Sequence, residues 1–118
     1  MATITMYGIP NCDTVKKTMD WFKKHKSASI IIFHDYKKEG ITKEKLTAWC
    51  KQVGWEILLN KKSTTWRSLP ATEQNKITSQ ASAINLMKEQ NSIIKRPVIE
   101  TADKLIVGFN EEILTGLL

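Results

Sequence analysis

Residues 3 to 7, Thr-Ile-Thr-Met-Tyr, alternate polar and apolar side chains with the period of a strand, and the alternation breaks at Gly8-Ile9-Pro10. Val15, Met19 and Phe22 then recur at helical spacing, which predicts a helix after the loop. Ile30 to His34 is short and rich in β-branched residues, a composition suited to a buried strand beside the first. The first third of the chain thus predicts a βαβ unit.

From Thr42 to Asn91 no strand pattern occurs. Leu46, Trp49, Cys50 and Val53 mark one face of a helix, with Thr42 as its N-cap and Gly54 just past its C-terminus. A short apolar stretch, Trp55 to Leu59, leads into a polar loop from Asn60 to Thr65, after which Trp66 and Leu69 are expected to dock this segment. Further helices are expected near 71 to 78 and, with Ser79 as a cap, as far as Glu89. Strand signals return after Pro97, as Val98 to Glu100, a Thr-Ala-Asp-Lys turn, and Leu105 to Val107. Asn110 then caps a helix with Glu111 and Glu112 in its first turn. The order is β-α-β, helices, β-β-α, with no repeat and no Pro/Ser-rich linker, so the helical middle is expected to be an insertion into one α/β domain.

Composition agrees with a packed globule: 118 residues suit one domain, and 42% apolar and 25% charged residues with five Gly and three Pro exclude collagenous and disordered classes. The N-terminus has no basic region before an apolar stretch, and the longest apolar run is Ile30 to Phe33. No signal peptide or membrane span is therefore expected, and a cytoplasmic location is. Two cysteines, Cys12 and Cys50, are too few for a secreted disulfide scaffold.

The net charge of +6 arises in residues 1 to 62, which hold twelve Lys against six acids, whereas residues 63 to 118 hold six bases against six acids. No base-reading motif accompanies the lysines, so charge alone supports nucleic-acid binding and none is expected. A solvated basic face would still draw oxyanions, glutathione carboxylates or acidic protein surfaces.

The sharpest chemical feature is Gly8-Ile9-Pro10-Asn11-Cys12-Asp13-Thr14, where a loop delivers a cysteine to the first turn of a helix. Unpaired N–H groups and the positive helix end stabilise a thiolate there, and Lys16, one turn on, can face the sulfur; Asp13 acts the other way. The alternative is a small buried apolar residue, against which stand the polar neighbours Asn11, Asp13 and Thr14. Val15 occupies the position that would complete a Cys-x-x-Cys pair, so any redox cycle needs another thiol. Cys50, on an apolar stripe, reads as a buried inert residue, with a resolving role as the alternative, and free glutathione is the expected reductant.

Arg96-Pro97 is the second feature. It is either a strand-entry proline or a cis peptide presenting a backbone edge and an arginine fork to a ligand. Only Arg67 and Arg96 among eighteen bases are arginine, which hints at bidentate geometry, although surface pairing serves Arg67 equally well. His25 and His34 lack metal-ligand spacing and form no set with the cysteines, so no metal is expected. The Trp residues at 21, 49, 55 and 66 are expected to pack the core.

These residues resemble the ArsC-like reductases, and in particular their YffB-type branch. The resemblance spans nearly the whole chain through YGIPNCDTVKK at 7 to 17, FHDYKKEGI at 33 to 41, GWEILLNKKSTTWRSLP at 54 to 70, IIKRPVIE at 93 to 100 and LIVGF at 105 to 109. It implies a thioredoxin-like fold with a mixed sheet, its core at about 1–40 and 92–118 and its helical insertion at about 41–91. It also implies that Cys12 attacks an oxyanion, that glutathione displaces it, and that glutaredoxin recycles the mixed disulfide. Arg96 matches the family arginine before a cis-proline and Pro97 matches that proline, while two further arginines of the arsenate pattern fall at Asn60 and about Gly108. Arsenate binding is accordingly expected to be weakened, and mixed disulfides stand beside oxyanions as substrates.

The expected site is Cys12 as nucleophile, with Asn11, Thr14, Lys16, Asn60, Arg67, Arg96 and Pro97 binding substrate or glutathione. No bound cofactor is expected, glutathione serves as co-substrate, and the chain is expected to be a monomer. The competing expectation is an Spx-like regulator that binds RNA polymerase without turnover; such regulators commonly carry the Cys-x-x-Cys switch that Val15 rules out.

Overall fold

The alternation at the start of the chain folds as β1 (Thr3–Gly8), and the helical repeat after it as α1 (Asp13–Lys24). The computed structural model describes residues 3–25, 30–102 and 104–115, so Asp103 of the expected turn lies outside the described residues. In chain order there follow β2 (Ile30–Asp35), α2 (Tyr36–Glu39), α3 (Lys43–Val53), α4 (Trp55–Leu58), α5 (Thr64–Arg67), α6 (Ala71–Gln74), α7 (Gln80–Glu89), a 3₁₀ turn at Asn91–Ile93, β3 (Val98–Glu100), β4 (Leu105–Val107) and α8 (Glu111–Thr115). The chain divides into two units, Met1–Glu39 with Arg96–Leu118, and Gly40–Lys95.

The first unit is built on a sheet ordered β2-β1-β3-β4, with β1 parallel to β2 and the other pairs antiparallel. This mixed sheet with its helices is the thioredoxin-like α/β arrangement. The register aligns one apolar row across all four strands: Phe33 opposite Met6, Met6 opposite Ile99, and Ile99 opposite Ile106. Facing residues on paired strands share a face, so the row forms one apolar surface. Val15, Trp21 and Phe22 of α1 and Leu114 of α8 complete the core with it. The α8 start is fixed by Asn110, whose Oδ1 accepts from the Ile113 N–H at 3.1 Å.

One expectation is corrected here. β2 pairs with β1 but forms the edge of the sheet, and Ile32, which faces away from Ile31 and Phe33, is 48% exposed. Its β-branched run reflects strand propensity and one buried face, not burial on both. Directly after it, Asp35 Oδ1 accepts from the N–H groups of Lys37 and Lys38 at 3.0 and 3.3 Å and so starts α2, a turn that the periodicity did not mark.

In the second unit Thr42 caps α3, its Oγ1 accepting from the Lys45 N–H at 3.1 Å. Gly54 ends the helix at φ +86°, a left-handed conformation natural to glycine. Leu46, Trp49 and Cys50 are buried, as are Ala83, Ile84 and Met87 of α7 and Ile93 and Ile94 after it. An isolated antiparallel bridge joins Leu59 to Ile94.

Two boundaries differ from expectation. Ser63 Oγ accepts from the Trp66 N–H at 3.1 Å, so α5 begins inside the stretch expected as loop and includes Thr64 and Thr65. The helix expected over 71 to 78 ends at Gln74, because the N–H groups of Lys76 and Ile77 bond only three residues back, to Glu73 and Gln74. Ser79 then starts α7 through a reciprocal capping box with Ser82. Among the described residues no helix is long and apolar enough to cross a membrane.

Candidate functional site

β1 ends at Gly8 and only three residues separate it from Cys12, the N-cap of α1. Glycine is required there by space: a Cβ at position 8 would lie 2.7 Å from Val15 Cγ2. The first turn of α1 therefore packs directly onto the end of β1, which holds the intervening loop short. Cys12 has extended backbone angles, its carbonyl accepts from the Lys16 N–H at 3.0 Å, and its side chain makes no capping hydrogen bond. The thiol is half-buried against the core of the first unit, at the end of a twelve-residue helix whose leading N–H groups have no intrahelical partners.

Asn11, Thr14 and Lys16 flank it and are exposed. The Thr14 carbonyl accepts from Thr18 Oγ1 at 2.8 Å, and Asp13 lies in the first turn. The Arg96–Pro97 peptide is cis, the second of the two alternatives that the sequence left open. Arg96 is half-buried and Pro97 buried. The Pro97 carbonyl accepts from the Gly108 N–H at 2.8 Å, which ties the entry of β3 to the exit of β4. Gly108 itself is buried at φ +87°.

Tyr36, at the start of α2, is fully buried, and its hydroxyl accepts a hydrogen bond from the Arg96 guanidinium. Burial pushes the phenol far above its ordinary value of 10.0; Arg96 pulls it back, and negative charge on Cys12 or Asp35 pushes it further up. Cys12, Arg96 and Tyr36 thus share one electrostatic neighbourhood inside the first unit. Parallel β1 and β2 end side by side, Gly8 opposite Asp35, and Cys12 and Tyr36 follow these carboxyl ends, where open α/β sheets place their ligand sites. That rule, applied to a βαβ reading, is the signal by which the sequence could have shown Tyr36; spacing alone carries none.

Asn60 and Arg67 belong to the second unit. Arg67 is exposed at the end of α5. The Asn60 N–H donates to the Ile93 carbonyl at 2.9 Å, its Oδ1 accepts from the Lys62 N–H at 3.1 Å, and it lines a groove with Lys61, Lys62 and Lys95. Cys50 is buried in the same unit, and burial pushes its thiol above the ordinary range. His34 packs on the Tyr7 ring at 4.9 Å and lies 3.5 Å from a Glu39 carboxylate oxygen through Nδ1. Among the described residues no group of three or more His, Cys, Asp or Glu stands in position to hold a metal ion.

Comparison with known proteins adds to this geometry. The model of the ArsC family matches residues 7–116. An uncharacterized protein of Haemophilus influenzae is 41% identical over 109 residues, which are 92% of this chain and 93% of the relative. The solved structure of the YFFB protein is 42% identical with a TM-score of 0.88, over 96% of both chains. That of an arsenate reductase related protein from Brucella melitensis is 45% identical with a TM-score of 0.76, over 97% of this chain and 92% of the other. At greater distance, the global transcriptional regulator Spx of Streptococcus pneumoniae is 23% identical over 98% of this chain and 85% of its own.

Proposed function

The chain belongs to the ArsC family, and from that premise we propose that it is a glutathione-dependent thiol reductase with Cys12 as its nucleophile. One observation carries the proposal: an uncapping, half-buried thiol at the start of α1, in the same neighbourhood as the guanidinium of Arg96. Arg96 clamps an oxyanion or a glutathione carboxylate, and the start of α1 with Lys16 one turn on adds positive charge for an anionic reactant. Asn11 and Thr14, exposed beside Cys12, border the bound anion.

With a glutathione mixed disulfide, the Cys12 thiolate attacks the glutathione sulfur and expels the other as a thiolate. Glutathione then attacks the Cys12 adduct, releasing glutathione disulfide and the free thiolate. With an arsenate-like oxyanion, the Cys12 thiolate attacks arsenic(V) and one arsenate oxygen leaves as water, after which a glutathione thiolate attacks the Cys12 sulfur and the As–S bond breaks with its electron pair going to arsenic. The two thiols leave as a Cys12–glutathione disulfide while arsenic gains two electrons; a glutaredoxin or glutathione thiol regenerates Cys12. The mixed-disulfide route fits this chain better, because Asn60 and Gly108 stand where the arsenate pattern has arginine, and lysine is a poorer bidentate clamp.

The test is NADPH consumption with glutathione and glutathione reductase, supplied in turn with arsenate, with glutaredoxin added, and with a glutathione mixed disulfide, without glutaredoxin. Turnover of the disulfide, lost in Cys12→Ser, is the expected result; a rate that survives Cys12→Ser sinks the proposal. The Spx likeness gives a second reading, a regulator that binds RNA polymerase without turnover. A salt-sensitive, Cys12-independent complex with the polymerase α subunit, together with absent turnover, would establish it.

A further inference from the structure

Tyr36 has no part in the chemistry above, yet it is a fully buried polar side chain in the neighbourhood of the reacting thiol. Its place follows from the fold: Asp35 ends β2 and starts α2, and this turns the next residue inward at the carboxyl end of the sheet. A buried phenol retains its proton, and its oxygen lone pairs can accept from a donor. The partner here is Arg96, one of two arginines among eighteen bases, set beside the buried Pro97. A guanidinium is a fork with five donors, and its value as an anion clamp depends on which donors point outward. An acceptor that holds one donor from the protein side fixes the direction of the rest.

We propose that Tyr36 is a positioning residue: its buried hydroxyl accepts from the Arg96 guanidinium and so orients that cation to receive the negatively charged group of whatever reacts at Cys12. The proposal rests on Arg96 acting as an anion clamp, and it makes the site selective for anionic thiol partners over neutral ones of the same reactivity.

Alkylation at Cys12 by iodoacetate and by iodoacetamide tests it, with the modified peptide read by mass. The two reagents share their chemistry and leaving group and differ in charge, so the ratio of their rates reports the oriented cation and not the thiol's intrinsic reactivity. In Tyr36→Phe, which keeps the ring and its packing, the ratio is expected to fall about tenfold, the scale of one misaligned charge-assisted hydrogen bond. In an Arg96→Met background the same substitution is expected to change nothing further, because the group it orients is gone. A ratio unchanged in Tyr36→Phe overturns the proposal, and so does an equal fall in the Arg96→Met background, which would make Tyr36 act independently of Arg96. Should circular dichroism show Tyr36→Phe unfolded, Arg96→Met alone still decides: its ratio must fall, and a native ratio overturns the proposal. The outcome is separable from that of the reductase assay. Absent turnover with a fallen ratio removes the reductase reading and keeps the positioning role; turnover with an unmoved ratio does the reverse.

Discussion

Cys50 sits on the inner face of α3 with Leu46 and Trp49, and burial raises its thiol above the ordinary value of 9.0, whereas Cys12 stands half-exposed at a helix start. For Cys50 the sign of the linkage is fixed. The folded state holds the proton more tightly than the unfolded state, so its contribution is fully present below the unfolded thiol value and is lost as pH rises from there toward the folded one. Urea unfolding is therefore expected to show stability falling above about pH 9 by at most about 1.4 kcal/mol per pH unit from this group. Cys50→Ala removes that part of the slope, and an unchanged slope in the variant would contradict the burial argument. Tyr36 adds a loss of the same sign in a higher window, above its ordinary 10.0. At this scale Cys50 was legible, because an apolar stripe at helical spacing assigns a cysteine to the core. Tyr36 was not, because its role depends on Arg96, sixty residues away in sequence.

Between elements, the tightest constraint is the approach of α1 to β1 at Gly8. A methyl group there meets Val15 Cγ2, a stiff β-branched side chain that is 3% exposed and has nowhere to retreat. Gly8→Ala is expected to cost about 1–3 kcal/mol in thermal or urea unfolding. The combined Gly8→Ala, Val15→Ala variant is expected to lose less than the sum of the single losses, since the second change removes the clash. Additive losses would mean that the backbone, not Val15, sets the limit. The elements with a strong local signal were readable: β1 from its alternation, α3 from the Thr42 cap and Gly54, α7 from Ser79, α8 from Asn110. The short helices were not. α2 and α5 each run four residues and are started by one side chain, Asp35 or Ser63, so no period has room to develop. The edge position of β2 was equally hidden, because strand order is decided by pairing across the chain and not within Ile30 to Asp35.

At the scale of the whole molecule, an excess of six positive charges favours anionic partners over distances that added salt cuts off. With the protein acting as proposed, kcat/KM for the dianionic disulfide 3,3′-dithiodipropionate is expected to fall with ionic strength, while that for neutral 2-hydroxyethyl disulfide stays nearly flat. Parallel behaviour of the two would remove long-range steering from the account. Of the candidate site, the sequence marked the helix-start cysteine and the Arg96-Pro97 pair, since each carries a local signature. It did not show that Arg96 and Tyr36 meet in the first unit, which required the β1–β3 pairing and the turn after β2 together. Val15 now takes on another meaning. The side chain one turn beyond Cys12 is a hydrocarbon wedged over Gly8, so the fold has no internal sulfur at that turn to release a group captured by Cys12. With Cys12 reacting as proposed, an adduct there persists until a thiolate arrives from solution, and its lifetime is set by the surrounding thiol pool. The fraction of molecules carrying it at any moment is then a running record of the redox state around the protein.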